Sequence, residues 1–185
     1  QIERGTLENY LYELLVSKGV NIIDGAILGN IELNDKHHTI ECTQGDEAFS
    51  FTTRWLVDAA GRQALLRNKL QLQCPTGHKG NAVFFRVNKR IIIDEWSDVA
   101  SWQNRVCEPG KRWLSTNHLM GPGYWIWIIP LASGATSFGI VMDDPAFEDS
   151  GIESFDDTMA WLEKEHPVCA TAIRGIELLD FKVMK

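Results

Sequence analysis

An α+β fold is predicted by three features of the chain: a run of apolar residues at helical spacing near its start, short apolar runs punctuated by turn residues after it, and helices and strands in blocks rather than in βαβ alternation. With 185 residues and 44% apolar content, there is material for one substantial core or for two small ones sharing an interface. No internal repeat or low-complexity tract interrupts the order.

Residues 6–18 place Leu7, Tyr10, Leu11, Leu14 and Leu15 at helical spacing, and Gly19 follows where a left-handed cap belongs, so an amphipathic helix is expected there. The period then changes. Runs at 20–28, 29–33, 39–43 and 49–57 read as extended and are separated by the turn clusters Asn34-Asp35-Lys36 and Gln44-Gly45-Asp46. They predict a three-stranded antiparallel meander feeding a strand over 55–60. Gly61 breaks the apolar run, and 62–70 reads as a short helix with Leu65, Leu66 and Lys69 marking its period. Cys74-Pro75-Thr76-Gly77 is the best internal boundary. Beyond it, extended segments are expected at 81–87 and 90–94 and, after a loop through Glu108-Pro109-Gly110, at 111–117, 123–131 and 136–142. Residues 154–165 carry Phe155, Met159 and Leu162 at helical spacing, Pro167 ends that helix, and 176–184 is a final strand.

Composition excludes several functions. With 18 basic and 25 acidic residues the formal charge is −7, and no basic stripe offers itself to a nucleic-acid backbone. The longest strongly apolar stretch, 124–132, has nine residues and contains Pro130, whereas a membrane-spanning helix needs roughly 20. Cys42, Cys74, Cys107 and Cys169 lie far apart without Cys-x-x-Cys spacing, which fits a reducing cytoplasm and gives no zinc or disulfide framework. The opening at Gln1, directly into a helical pattern, reads as excision from a longer chain. No Gly-rich phosphate loop occurs anywhere in the 185 residues.

Three segments are the candidates for chemistry. Gln1-Ile2-Glu3-Arg4-Gly5 precedes the first helix; by itself it could be solvated charge. In Trp55-Leu56-Val57-Asp58-Ala59-Ala60-Gly61-Arg62, a turn on Gly61 lets backbone approach a phosphate or polyol closely, or else only supplies a dihedral for a strand-to-helix turn that Asp58 caps. In Gly123-Tyr124-Trp125-Ile126-Trp127-Ile128-Ile129-Pro130-Leu131, period-two geometry places Trp125, Trp127 and Ile129 on one strand face and Ile126 and Ile128 on the other. Such a pair of tryptophans is either ordinary packing or one bulky wall, and as a wall it is expected to be partly exposed.

In this order and at these separations, the three segments resemble the flavin-dependent monooxygenase and halogenase superfamily. The run Ser115-Thr116-Asn117-His118-Leu119-Met120-Gly121 is similar to its tryptophan-halogenase-like members. The resemblance implies a p-hydroxybenzoate-hydroxylase-like architecture in which 1–72 form part of an FAD-binding domain and 73–185 most of a substrate-domain sheet. It implies that Gln1, Arg4, Asp58, Gly61 and Arg62 lie on the FAD side. Trp125, Trp127 and Pro130 would then stand as a wall between flavin and substrate, with Asn117 and His118 lining the pocket. FAD is the implied cofactor, though a segment without the phosphate loop is not expected to retain it. A small organic molecule is the implied substrate, and a flavin reductase or NAD(P)H the electron source. Catalytic residues are expected outside this segment, and none is named within it. A flavin-dependent reductase of an isoprenoid or lipid shares the architecture; a non-enzymatic β-sheet module, with the Trp125/Trp127 face lining an apolar ligand site, is the rival without flavin.

Other titratable residues invite blander readings. His37-His38 falls at a turn with no carboxylate or Cys at ligand spacing, so no metal is expected. A structural hydrogen bond is the ordinary role for a lone His such as His118. The pairs Asp94-Glu95, Asp143-Asp144 and Asp156-Asp157 fit solvation and helix starts better than paired acid–base chemistry.

Overall fold

Leucines at helical spacing and a glycine stop produce the first element as expected. In the computed structural model, which describes residues 1–75, 77 and 79–185, α1 spans Arg4–Ser17. Gly19, at φ 76°, closes it: its N–H donates to the Val16 carbonyl and that of Val20 to Leu15, the paired bonds of a Schellman cap. The apolar stripe expected to be covered is not, because no residue of α1 is buried among the described residues. Leu11 and Leu15 stay 43% exposed.

The chain divides into two compact units, Leu11–Thr76 and Gln1–Tyr10 with Gly77–Lys185. Thr76, within the boundary read from the sequence, lies outside the described residues.

The smaller unit holds the meander. Strands β1 (Ile27–Glu32), β2 (His38–Gln44) and β3 (Glu47–Thr53) pair antiparallel in sequence order, with Gly45 at φ 59° in the two-residue turn between β2 and β3. Residues 20–26 are not strand. Neither is 55–60, where the composition predicts a further extended run: among the described residues no strand pairs with this segment, and Trp55 and Val57 are 85% exposed. A 3₁₀ turn at Gly61–Gln63 and helix α2 (Leu65–Lys69) replace the single helix expected over 62–70.

The larger unit is built on one antiparallel sheet. Its strands are β4 (Gly80–Val87), β5 (Asn117–Gly121), β6 (Tyr124–Pro130), β7 (Thr136–Asp143) and β8 (Leu178–Met184), in spatial order β5-β6-β7-β4-β8. Helices α3 (Ala100–Gln103), α4 (Asp144–Ser150), α5 (Phe155–Glu165) and α6 (Pro167–Ile173) complete it. Val83, Phe85, Val87, Ile126, Ile128, Phe138, Ile140 and Met142 are the alternate residues of β4, β6 and β7, and they form one buried cluster with Phe147, Leu162, Ala170 and Ile173 of the helices. Phe85 stacks on Phe138 at 5.4 Å and meets Phe155 edge-on at 5.1 Å.

Two expectations fail between β4 and β5. The sequence predicts extended chain at 90–94, and 93–96 form a 3₁₀ turn; it predicts a strand over 111–117, and 112–114 form another such turn, with β5 starting only at Asn117. The cause is an ion pair distant in sequence. Arg112 Nη1 donates to Asp94 Oδ1 at 2.5 Å with both side chains buried, its backbone N–H donates to Asp94 Oδ2 at 3.0 Å, and its guanidinium lies over the Trp102 ring at 4.4 Å. Asp94 is therefore not the solvated acid that its neighbour Glu95 suggests.

Helix ends follow their caps. Asp143 accepts from the Ala146 N–H and starts α4, while Ser154 and Asp157 form a reciprocal capping box on α5. Pro167 follows the end of α5 but also opens α6, a first-turn position that needs no N–H.

Removing Asp94 should leave the Arg112 charge buried without its counter-ion. Asp94→Ala is predicted to destabilise the fold by about 3–5 kcal/mol, read from urea unfolding. A loss below about 1 kcal/mol would show that the pair does not anchor this connection.

Candidate functional site

Strand β6 presents two different faces. Ile126, Ile128 and Pro130 are buried, and Trp125, Trp127 and Ile129 are half-buried on the opposite side, as period-two geometry requires. Both the shared face of the tryptophans and their partial exposure agree with the sequence reading. Pro130 does not belong to the wall, since its parity places it with the core residues.

Register extends the wall across the sheet. Trp125 stands opposite Met120 of β5 and Val141 of β7; Trp127 stands opposite His118 and Gly139; Gly139 in turn faces Phe84 of β4. The indoles of Trp125 and Trp127 are 5.8 Å apart, His118 meets Trp125 edge-on at 5.0 Å, and Phe84 is 6.4 Å from Trp127. The result is an aromatic strip running from β5 to β4, continued at its exposed end by Met120, which is 72% exposed. Such a surface offers flat dispersion contacts, with ring faces and edges available to a planar molecule.

Asn117 does not share this face. It is in register with Ile128, and its side-chain amide donates to the carbonyls of Arg112 at 2.8 Å and Ser115 at 3.1 Å, which fixes the entry to β5. His118 does belong to the wall. Phe84, Met120 and Gly139 are not among the site residues read from the sequence, although Met120 stands in the 115–121 run; a glycine in the middle of the apolar run 136–142 is the signal that could have found the close approach at β7.

The second candidate segment lies in the smaller unit. Asp58 accepts from the Ala60 N–H at 2.9 Å and the Leu66 N–H at 2.8 Å, pinning the turn to the start of α2. These bonds, Ala60 first and Leu66 second, hold its carboxyl below the ordinary value of 3.8. Asp58 thus serves the loop. Gly61 sits at φ 59° with nothing within 4 Å of where a Cβ would stand, so the backbone there is open to close approach.

Gln1 and Arg4 belong to the larger unit. Gln1 donates through Nε2 to Thr116 Oγ1 at 2.9 Å, and its carbonyl accepts from the Ala132 N–H; Arg4 pairs with Glu8 at 2.5 Å and is fully exposed. His38 Nδ1 accepts from the Asn34 N–H at 3.3 Å in the hairpin between β1 and β2. Among the described residues, no group of three or more His, Cys, Asp or Glu is placed to hold a metal ion. No helix among them is long and apolar enough to cross a membrane.

The sheet arrangement has counterparts in solved flavoprotein structures. No protein-family model matches the chain. Flavin-dependent halogenase chlA of Dictyostelium discoideum is 28% identical over 98% of the chain and 33% of its own length. The 1H-pyrrole-2-carbonyl-[peptidyl-carrier protein] chlorinase of Pseudomonas fluorescens is 24% identical over 82% of the chain and 32% of its own length. The chain therefore spans about a third of the curated relatives it matches. Among solved structures, a flavoprotein/dehydrogenase from Cytophaga hutchinsonii superposes over 100% of the chain and 42% of its own, with a TM-score of 0.77 at 19% identity. Halogenase PltM, solved with phloroglucinol and FAD, superposes over 95% of the chain and 35% of its own with a TM-score of 0.75 at 16% identity. Fold and sequence similarity together point to the FAD-dependent oxidoreductases, and within them to the flavin-dependent halogenases.

The Asp58 turn gives a pH prediction. A carboxyl whose folded value is depressed contributes order that is present above its unfolded value and is lost as pH falls through the folded one. Amide protection at Ala60 and Leu66 should therefore persist at pH 3.8, the ordinary aspartate value, and disappear only below it, as read by hydrogen–deuterium exchange. Asp58→Ala should remove it at every pH. Equal protection in wild type and variant would mean that the carboxylate does not hold the turn.

Proposed function

We propose that this chain is part of an FAD-dependent oxidoreductase of halogenase type, with a p-hydroxybenzoate-hydroxylase-like architecture, acting on a small organic substrate. The observation that carries the reading is the Trp125–Trp127 wall, a half-exposed aromatic face set in a chain similar over 98% of its length to a flavin-dependent halogenase. Residues 1–72 would contribute to the FAD side and 73–185 the substrate-side sheet. The Gly61 turn suits the cofactor: its positive φ and the open space around it let backbone approach a phosphate or ribityl group, and Arg62 brings a cation to the same turn. Bound FAD would supply the redox chemistry, with oxygen as oxidant and a flavin reductase or NAD(P)H as electron source.

The wall's part is to exclude. Two indoles lying along one strand face are rigid and bulky, so an aromatic substrate can rest against them without passing through. Separation of substrate from flavin favours a diffusing oxidised halide over direct oxygen transfer, and this distinguishes halogenase from monooxygenase behaviour on one scaffold. All four cysteines are free, and the reading places the protein in a reducing compartment such as the cytoplasm.

The full-length protein, supplied with FAD, a flavin reductase, NADH, oxygen, bromide and phloroglucinol as probe, should yield a brominated product by mass spectrometry. Gly61→Val should lower its FAD occupancy while the fold survives. A hydroxylated product formed equally with and without bromide would replace the halogenase assignment by a monooxygenase one. Absence of bound flavin at saturating FAD would overturn both.

A further inference from the structure

Gly139 sits in the middle of β7 with an ordinary extended backbone, so its dihedrals do not require glycine. Glycine within a strand weakens the strand, and its presence there calls for a spatial cause. The cause is Trp127. A Cβ added at Gly139 would overlap the six-membered ring of that indole, the ring atoms Cζ2, Cε2 and Cη2 being its nearest neighbours. The two residues are directly opposed in register, and on the other side of Gly139 stands Phe84. The missing side chain is therefore a shallow trough across β7 in which the indole lies down against the sheet, 6.4 Å from the Phe84 ring. Ser137, two residues along the same face of β7, fixes the rotation by accepting from Trp127 Nε1 at 3.3 Å.

We propose that Gly139 and Ser137 are positioning residues for Trp127, and that Gly139 sets the depth of the substrate space above the aromatic wall. The proposal rests on the halogenase-type reading, in which that face meets the substrate. With the indole laid flat, its face rather than its edge is offered, and a planar aromatic can stack at van der Waals distance. A methyl at position 139 lifts the indole from the sheet, tilts it relative to Trp125 and takes up room that the substrate needs. A hydroxyl lost at position 137 frees the rotation without filling the trough.

The geometry can be read without any activity. The two indoles, 5.8 Å apart and inclined at 50°, form an exciton pair in far-ultraviolet circular dichroism, which Trp125→Phe assigns among the seven tryptophans of the chain. Gly139→Ala is expected to abolish or invert that couplet, whereas Val141→Ala, on the same strand face opposite Trp125, should preserve its sign. Ser137→Ala should shift the Trp127 indole N–H resonance in ¹H–¹⁵N spectra, and this arm decides the matter if Gly139→Ala does not fold. An unchanged couplet in folded Gly139→Ala, or, where that variant does not fold, an unmoved indole resonance in Ser137→Ala, overturns the proposal. In the full-length enzyme, Gly139→Ala should raise KM for phloroglucinol severalfold with kcat nearly unchanged; equal loss in kcat alone would also contradict it. If the parent enzyme shows no turnover, the functional reading fails while the spectroscopic arms still judge the role of Gly139.

Discussion

Burial of Ile126 and Ile128 beneath the helices, with Pro130 buried on the same face, fixes the remainder of β6. Side chains alternate along a strand, so a core that claims these positions delivers Trp125, Trp127 and Ile129 to the other face. A slip of one residue would exchange the two sets, placing bulky indoles in a core fitted to isoleucines and leaving the isoleucines in water. The apolar cluster under the sheet therefore stabilises the unit and at the same time holds the wall outward. Neighbouring strands obey the same rule: Phe85 and Phe138 stack inside while Phe84 and Gly139 lie on the opposite face, Gly139 covered there by the Trp127 indole.

Polar interactions then position what the core leaves free. The Asp94–Arg112 pair, with Trp102 beneath the guanidinium, fastens the long connection from β4 to β5. Arg112 also offers its carbonyl to Asn117 at the first residue of β5. Through that contact the connection sets where β5 begins, and hence where His118 and Met120 meet the tryptophans. In the smaller unit Asp58 does comparable local work, committing its carboxylate to two N–H groups of its own turn and leaving Gly61 open.

What can be read from the sequence divides along the range of the forces involved. β4, β6, β7, β8 and α5 are legible because each is decided by local periodicity and nearby turn residues, and the two faces of β6 follow from the same pattern. The 3₁₀ turn at 93–96 is not, because its cause is an arginine eighteen positions later. The 55–60 segment reads as a strand by composition, yet strand formation needs a partner that local sequence cannot specify. Helix α4 escapes the reading of periodicity although Asp143 with Pro145 is a start signal, because an acidic pair suits a solvated loop equally well. Of the site, His118, Met120, Trp125 and Trp127 lie on one short stretch, whereas Phe84 and Gly139 join them only through strand pairing. Parity also removes Asn117 and Pro130 from the wall, a distinction that the motif as a string of letters does not make.

The most direct test of this two-faced strand is hydroxyl-radical footprinting read by mass spectrometry on the peptide covering 123–131. Oxidation concentrated on Trp125 and Trp127, with Ile126 and Ile128 protected in the folded chain and modified only after urea unfolding, is the predicted result. Protection of both tryptophans equal to that of the isoleucines would place the indoles in the core and remove the wall from the account.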